Sequence, residues 1–111
     1  MDLETHVHDL LTPLGCPVTH QVRSKQLPSL SYHFFGRQPS LHRDGQPVRE
    51  ETNCQVDIFT ADGKSYPIAK KVKRAMRKAG WLYVREDDNF ESGTGVYHKV
   101  LVFYKEFEME E

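Results

Sequence analysis

Apolar residues near the start of the chain, Leu3, Val7, Leu10, Leu11 and Leu14, recur at the three- and four-residue spacing of an amphipathic helix and predict one over residues 2–13. Gly15 supplies the left-handed position that ends helices and Pro17 blocks resumption, while Pro13 predicts an early end or a kink. The period then changes. Residues 18–23 alternate weakly as a short strand, and residues 30–35, bounded by Pro28 and Gly36 and rich in aromatics, predict a better one. Residues 37–47 contain two prolines and the Asp44-Gly45 pair, the composition of a loop or a long hairpin tip. The longest strand is expected at 48–60, with Cys54, Val56 and Ile58 on one face and Asn53, Gln55 and Asp57 on the other.

A second helix is predicted at 67–79. Ser65 and Pro67 mark its entrance and Gly80 its end. Its apolar residues, Ile68, Ala69, Val72, Ala75, Met76 and Ala79, fall within an arc of about 120° at about 100° per residue. Lys70, Lys71, Lys73, Arg74, Arg77 and Lys78 fill the opposite side. A strand at 81–86, an acidic Gly-containing connection at 87–95 and a strand at 96–107 follow, with residues 107–111 as a frayed tail. The order α-β-β-β-α-β-β predicts an α+β fold: a single domain with an about five-stranded, largely antiparallel sheet and two helices on one face. The expected core holds Leu10, Leu14, Val56, Ile58, Ile68, Val72, Met76, Leu82, Val84, Val100 and Val102.

Composition narrows the class. With 111 residues, 38% apolar and 28% charged, the chain suits one ordered domain. Fifteen Lys and Arg against sixteen Asp and Glu leave a net charge of −1, which argues against a general nucleic-acid coat. No apolar run is long enough to span a bilayer, and the N-terminus lacks the basic start and apolar stretch of a secretory signal. Cys16 and Cys54 are therefore expected to be reduced thiols.

Candidate chemistry is sparse. The six histidines show no paired ligand spacing, and the two cysteines have no second cysteine near them, so no metal site is expected. Cys16 follows a helix end, which does not favour a thiolate, and Cys54 lies on the apolar side of a strand. The segment from Ser92 to Gly95 lacks the lysine and following helix of a phosphate loop. Glu50-Glu51 and Asp87-Asp88 are adjacent pairs, which on a strand point to opposite faces. The expectation is a protein with no catalytic centre and no metal or organic cofactor. The cationic side of the second helix fits three readings: a solvated face, a protein-partner surface, or a nucleic-acid contact.

Longer stretches carry a resemblance. The first helix leads to Leu14-Gly-Cys-Pro-Val18, and Leu27-Pro-Ser-Leu-Ser-Tyr-His-Phe-Phe35 follows. The strand Asn53-Cys-Gln-Val-Asp-Ile-Phe-Thr60 precedes the helix ending Met76-Arg-Lys-Ala-Gly80, and the last strand opens Gly93-Thr-Gly-Val-Tyr-His98. Over about residues 3–105 this resembles the tail-completion, or tail-terminator, proteins of long-tailed bacteriophages. The resemblance implies a non-enzymatic virion assembly protein. Six copies would form a ring that stops the tail tube at its head-proximal end and joins it to the head connector. Its partners would be copies of itself, the tail-tube protein and the head-connector protein, with DNA passing through the ring. Its place would be the host cytoplasm during assembly and then the virion. A ring needs complementary, non-identical patches. Lys70, Lys73, Arg74, Arg77 and Arg43 on the basic side and Asp44, Asp87, Asp88 and Glu91 on the acidic side are the candidate partner-interface residues. The alternative class is a small nucleic-acid-binding protein that uses helix 67–79. Loops 37–47 and 87–95 are expected to be mobile in the free chain and ordered on assembly.

Overall fold

The computed structural model describes residues 2–109. Helix α1 (Leu3–Leu11) begins at Asp2, whose carboxylate accepts hydrogen bonds from the Thr5 amide at 3.2 Å and the Thr5 hydroxyl at 2.8 Å. It tightens into a 3₁₀ turn, Thr12–Leu14, with Pro13 in the first positions, where its missing N–H costs nothing. Gly15, at φ +89°, ends the segment. Pro13 thus stops the α-helix at Leu11, two residues short of the sequence expectation.

Five strands form one sheet in the order β1-β2-β3-β5-β4: β1 (Val18–His20), β2 (Ser29–Arg43), β3 (Gln46–Thr60), β4 (Leu82–Glu91) and β5 (Val96–Glu108). Only β1 and β2 run parallel. Helix α2 (Tyr66–Lys78) crosses over between β3 and β4. Both helices cover the same sheet face. Leu3, Val7 and Leu11 of α1 and Ala69, Val72 and Met76 of α2 join Leu30, Tyr32, Cys54, Val56, Ile58, Leu101 and Phe103 in one buried cluster. The fold is therefore the α+β domain that the hydrophobic periods predict. Val56, Ile58, Val72 and Met76 are buried as expected, and Leu10, Leu14 and Ile68 pack against them half-buried.

Four expectations narrow or change. First, of the two readings of residues 37–47 the long hairpin is the one formed: β2 and β3 continue as an arm, edged by β5 as far as Arg49 and closed by Asp44 and Gly45, at φ +52° and +76°. Positive φ at both central residues is the geometry of a two-residue turn whose twist matches the strands it joins. Second, the acidic segment 87–91 is strand, because β4 pairs with β5 out to Glu91 opposite Val96. Third, the faces of β4 and β5 differ. Leu82, at 64% exposure, and Val84 point away from the core, and Trp81 and Tyr83 supply the packing instead. A register shift between Tyr83 and Arg85 places Val84 in a bulge. On β5 the helix face carries Leu101, Phe103 and Phe107, so Val100 and Val102 lie on the helix-free side, where Val102 is nevertheless buried. Fourth, Phe107 and Glu108 are paired strand and Phe107 is buried. The Met109 amide donates to the Val48 carbonyl at 3.1 Å, so the tail reading fails for these residues, and positions 110–111 lie outside the described residues.

Candidate interaction surfaces

Helix α2 divides into flanks with different electrostatics. Lys70, Lys71, Arg74, Arg77 and Lys78 are exposed, and no acidic side chain among the described residues forms an ion pair with them. Lys73 was grouped with them on periodicity, but it turns toward β4. Its Nζ lies 2.7 Å from Glu86 Oε1 and 4.7 Å over the Tyr83 ring. The Tyr83 hydroxyl donates to the same carboxylate oxygen at 2.6 Å, and Lys99 Nζ reaches Glu86 Oε2 at 3.0 Å. Hydrogen bonds from Lys73, Tyr83 and Lys99 hold the Glu86 carboxyl down to about 2. The same bonding pushes Lys73 up.

The acidic candidates are likewise engaged within the chain. Asp88 accepts from the largely buried Lys99 at 2.8 Å, Asp87 pairs with Arg85 at 2.5 Å, and Glu91 with Arg23 at 2.7 Å. Of the acidic interface candidates, Asp87, Asp88 and Glu91 thus pair with Arg85, Lys99 and Arg23 of their own chain, and Glu86 beside them with Lys73 and Lys99. Arg43 and Asp44 stand together at the tip of the β2–β3 arm, both exposed.

A surface of another kind lies at the far end of β3. Phe90 and Tyr97 are cross-strand partners with ring centroids 4.8 Å apart, and with Tyr66 they line a cleft of about 470 Å³. All three are exposed, Tyr66 at 68%, and exposed aromatics gathered in one place mark a contact surface. The sequence reading missed it because Phe90 sat in a presumed acidic connection. Its signal was the alternation Glu86, Asp88, Phe90, which puts the three on one strand face once the bulge is known.

The remaining chemistry-bearing residues are dispersed. Cys54 is buried and burial pushes its thiol well up; Cys16 is raised for the same reason. His6 Nε2 accepts from the Trp81 indole at 3.2 Å, and burial lowers its basicity. His98 stacks on Phe59 and lies 3.0 Å from Asp57 Oδ1 on the helix-free sheet face. Among the described residues no group of three or more His, Cys, Asp or Glu could hold a metal ion, and no helix is long and apolar enough to cross a membrane.

No protein-family model and no curated protein matches the chain. Solved structures do. A chain in the virion of a native gene transfer agent particle aligns with a TM-score of 0.59 at 15% identity, over 93% of this chain and 92% of that one. A second solved chain, known only by a sequence identifier, aligns with a TM-score of 0.56 at 12% identity, over 98% and 92%. Such likeness concerns the fold: nearly end to end, this chain is built like a component of a gene transfer agent virion.

Proposed function

We propose that the chain is a structural protein of a tailed, phage-like particle, and that copies of it form the ring that ends the tail tube and joins it to the head. The observation that carries the reading is the fold shared, over more than nine-tenths of both chains, with a component of a gene transfer agent virion. The resemblance of residues 3–105 to tail-completion proteins supports the finer role. So does the shape of the subunit, which is 53 Å long with unlike ends. At one end projects the arm, with Leu41 exposed near its tip. At the other lie Tyr66, Phe90 and Tyr97. A cyclic ring is made by joining unlike patches head to tail, so an elongated subunit with two different exposed ends suits it. In this reading the arm orders against a neighbour, the tail tube or the head connector, and the protein works without a cofactor or a catalytic centre. The test is to locate the protein in purified particles by cryo-electron microscopy and count its copies. Six copies around the head–tail junction are expected. A position in the capsid shell or at the distal tail tip would overturn the finer role, and absence from the particle would overturn the whole reading.

A further inference from the structure

We propose that the outer face of α2 is a contact site for the phosphate backbone of duplex DNA, read without regard to sequence. At about 100° per residue, Lys70, Lys71, Arg74, Arg77 and Lys78 fall within an arc of about 120°, opposite the buried Ala69, Val72 and Met76. They line a ridge nine residues long, about 12 Å from Lys70 to Lys78. No acid lies on the helix itself. Lys70 with Arg74, Arg74 with Arg77, and Arg74 with Lys78 are like charges at helical neighbour spacing, an arrangement that weakens a helix. The fold relieves this only at Lys73, by Glu86.

Three classes of occupant could satisfy such a face, and the ion pairs decide among them. A second copy of the chain is the weaker match: of the acidic candidates, Asp87, Asp88 and Glu91, with Glu86 beside them, are already held by Arg85, Lys99, Arg23 and Lys73, and Asp44 sits alone beside Arg43 at the arm tip. The heart of a protein–protein contact is depleted in lysine and carries apolar anchors. Between residues 70 and 78 every exposed side chain is a cation. Single-stranded nucleic acid wants free ring faces for its bases. Between residues 70 and 78 the ridge itself presents no aromatic ring. What remains is a rigid, purely cationic ridge that meets a row of phosphates, where affinity comes from counterion release rather than apolar contact. The inference rests on the helix alone and not on the assembly reading, so either can fail without the other.

Fluorescence anisotropy of the whole chain with a labelled, mixed-sequence DNA duplex tests it across a salt series. With as many as five phosphate contacts, log affinity should fall against log salt with a slope of about −4.5, a loss of several hundred-fold between about 50 and 200 mM. Replacing Lys70, Arg74, Arg77 and Lys78 by Gln should reduce the slope to about −1, and the melting temperature should not fall because repulsion has been removed. Arg74→Gln alone should reduce it by about one. A control with Lys25→Gln and Lys64→Gln, exposed cations off the ridge, should keep the full slope. No binding at 50 mM salt, or a slope indifferent to the four substitutions, would overturn the proposal. Binding of polyglutamate but not duplex would overturn it in favour of an acidic protein partner.

Discussion

At its base the β2–β3 hairpin is flanked by β1 and β5 and roofed by both helices; past Phe35 the same two strands run on beyond the helices, accompanied by the end of β5 as far as Val48 and alone from there to the turn. Leu30, Cys54, Val56 and Ile58 in the base are fully buried, whereas no residue from Gly36 to Glu51 is buried. The arm is held by its ladder, by the Asp44-Gly45 turn and by surface contacts such as Arg37 to Glu50 at 2.5 Å and Gln38 to Glu51 at 2.8 Å. Exposed ion pairs contribute about 0–1 kcal/mol each, and an isolated two-stranded hairpin is marginal in water. One continuous pair of strands therefore joins a region stabilised by packing to a region stabilised by backbone geometry. The first sets whether the domain folds. The second is free to take its final form from a partner.

The sharpest break of that comparison is in the core. Trp81→Ala should cost about 3–5 kcal/mol in denaturant unfolding, since the ring is 2% exposed and fills the space between the Phe34 ring and the His6 edge. Val72→Ala and Ile58→Ala should each cost about 1–4 kcal/mol. A cost near zero at Trp81 would mean the packed region is not where the helices place it.

Acid should act on the packed region through β4. The Glu86 carboxyl is held down to about 2, below the ordinary value of 4.5, so its contribution is complete above about pH 4.5 and is lost as pH falls toward 2. The stability difference between the natural chain and Glu86→Gln should shrink over that window. A difference constant from pH 6 to pH 2 would show that Lys73, Tyr83 and Lys99 do not hold the carboxylate.

Gly45→Val should behave in the opposite way. At φ +76° a β-branched side chain is strained by about 1–2 kcal/mol. The loss should appear as faster amide exchange confined to residues 37–48, with the global unfolding midpoint nearly unchanged. A large midpoint shift would make arm and base one cooperative unit. Smallest in stability is Leu41→Asp, expected to lie within about 0.5 kcal/mol of the natural chain because Leu41 is exposed, yet to impair particle joining if the arm is a contact.

These two regions also differ in how legible they were in the sequence. The helices and the inner strand face were readable because one-sided burial leaves a clean period: Leu3, Val7 and Leu11 on α1, and Cys54, Val56 and Ile58 on β3. The arm was half legible: Asp44-Gly45 signals a hairpin tip, but Gly36, Pro39 and Pro47 read equally well as loop residues, although Pro tolerates an unpaired strand edge. On β5, valines on one side and Leu101 and Phe103 on the other left the core face ambiguous; on β4 the inward face is taken by Trp81 and Tyr83 rather than Leu82 and Val84, and the bulge at Val84 then brings Glu86, Asp88 and Phe90 onto that face. At the candidate surface, helical spacing located all six cations of α2, but only the tertiary contact with β4 separated Lys73 from the rest. The cleft joins Phe90 and Tyr97, a pair within the β4–β5 hairpin, to Tyr66 at the start of α2, and that tertiary contact is what no local pattern reveals.

The central claim is that this chain builds the joint between tail and head. Electron microscopy of particles assembled without it tests that claim most directly. The account predicts complete heads and separate tails of irregular length, present in the same lysate and never joined. Joined, infectious particles with tails of normal length would contradict it.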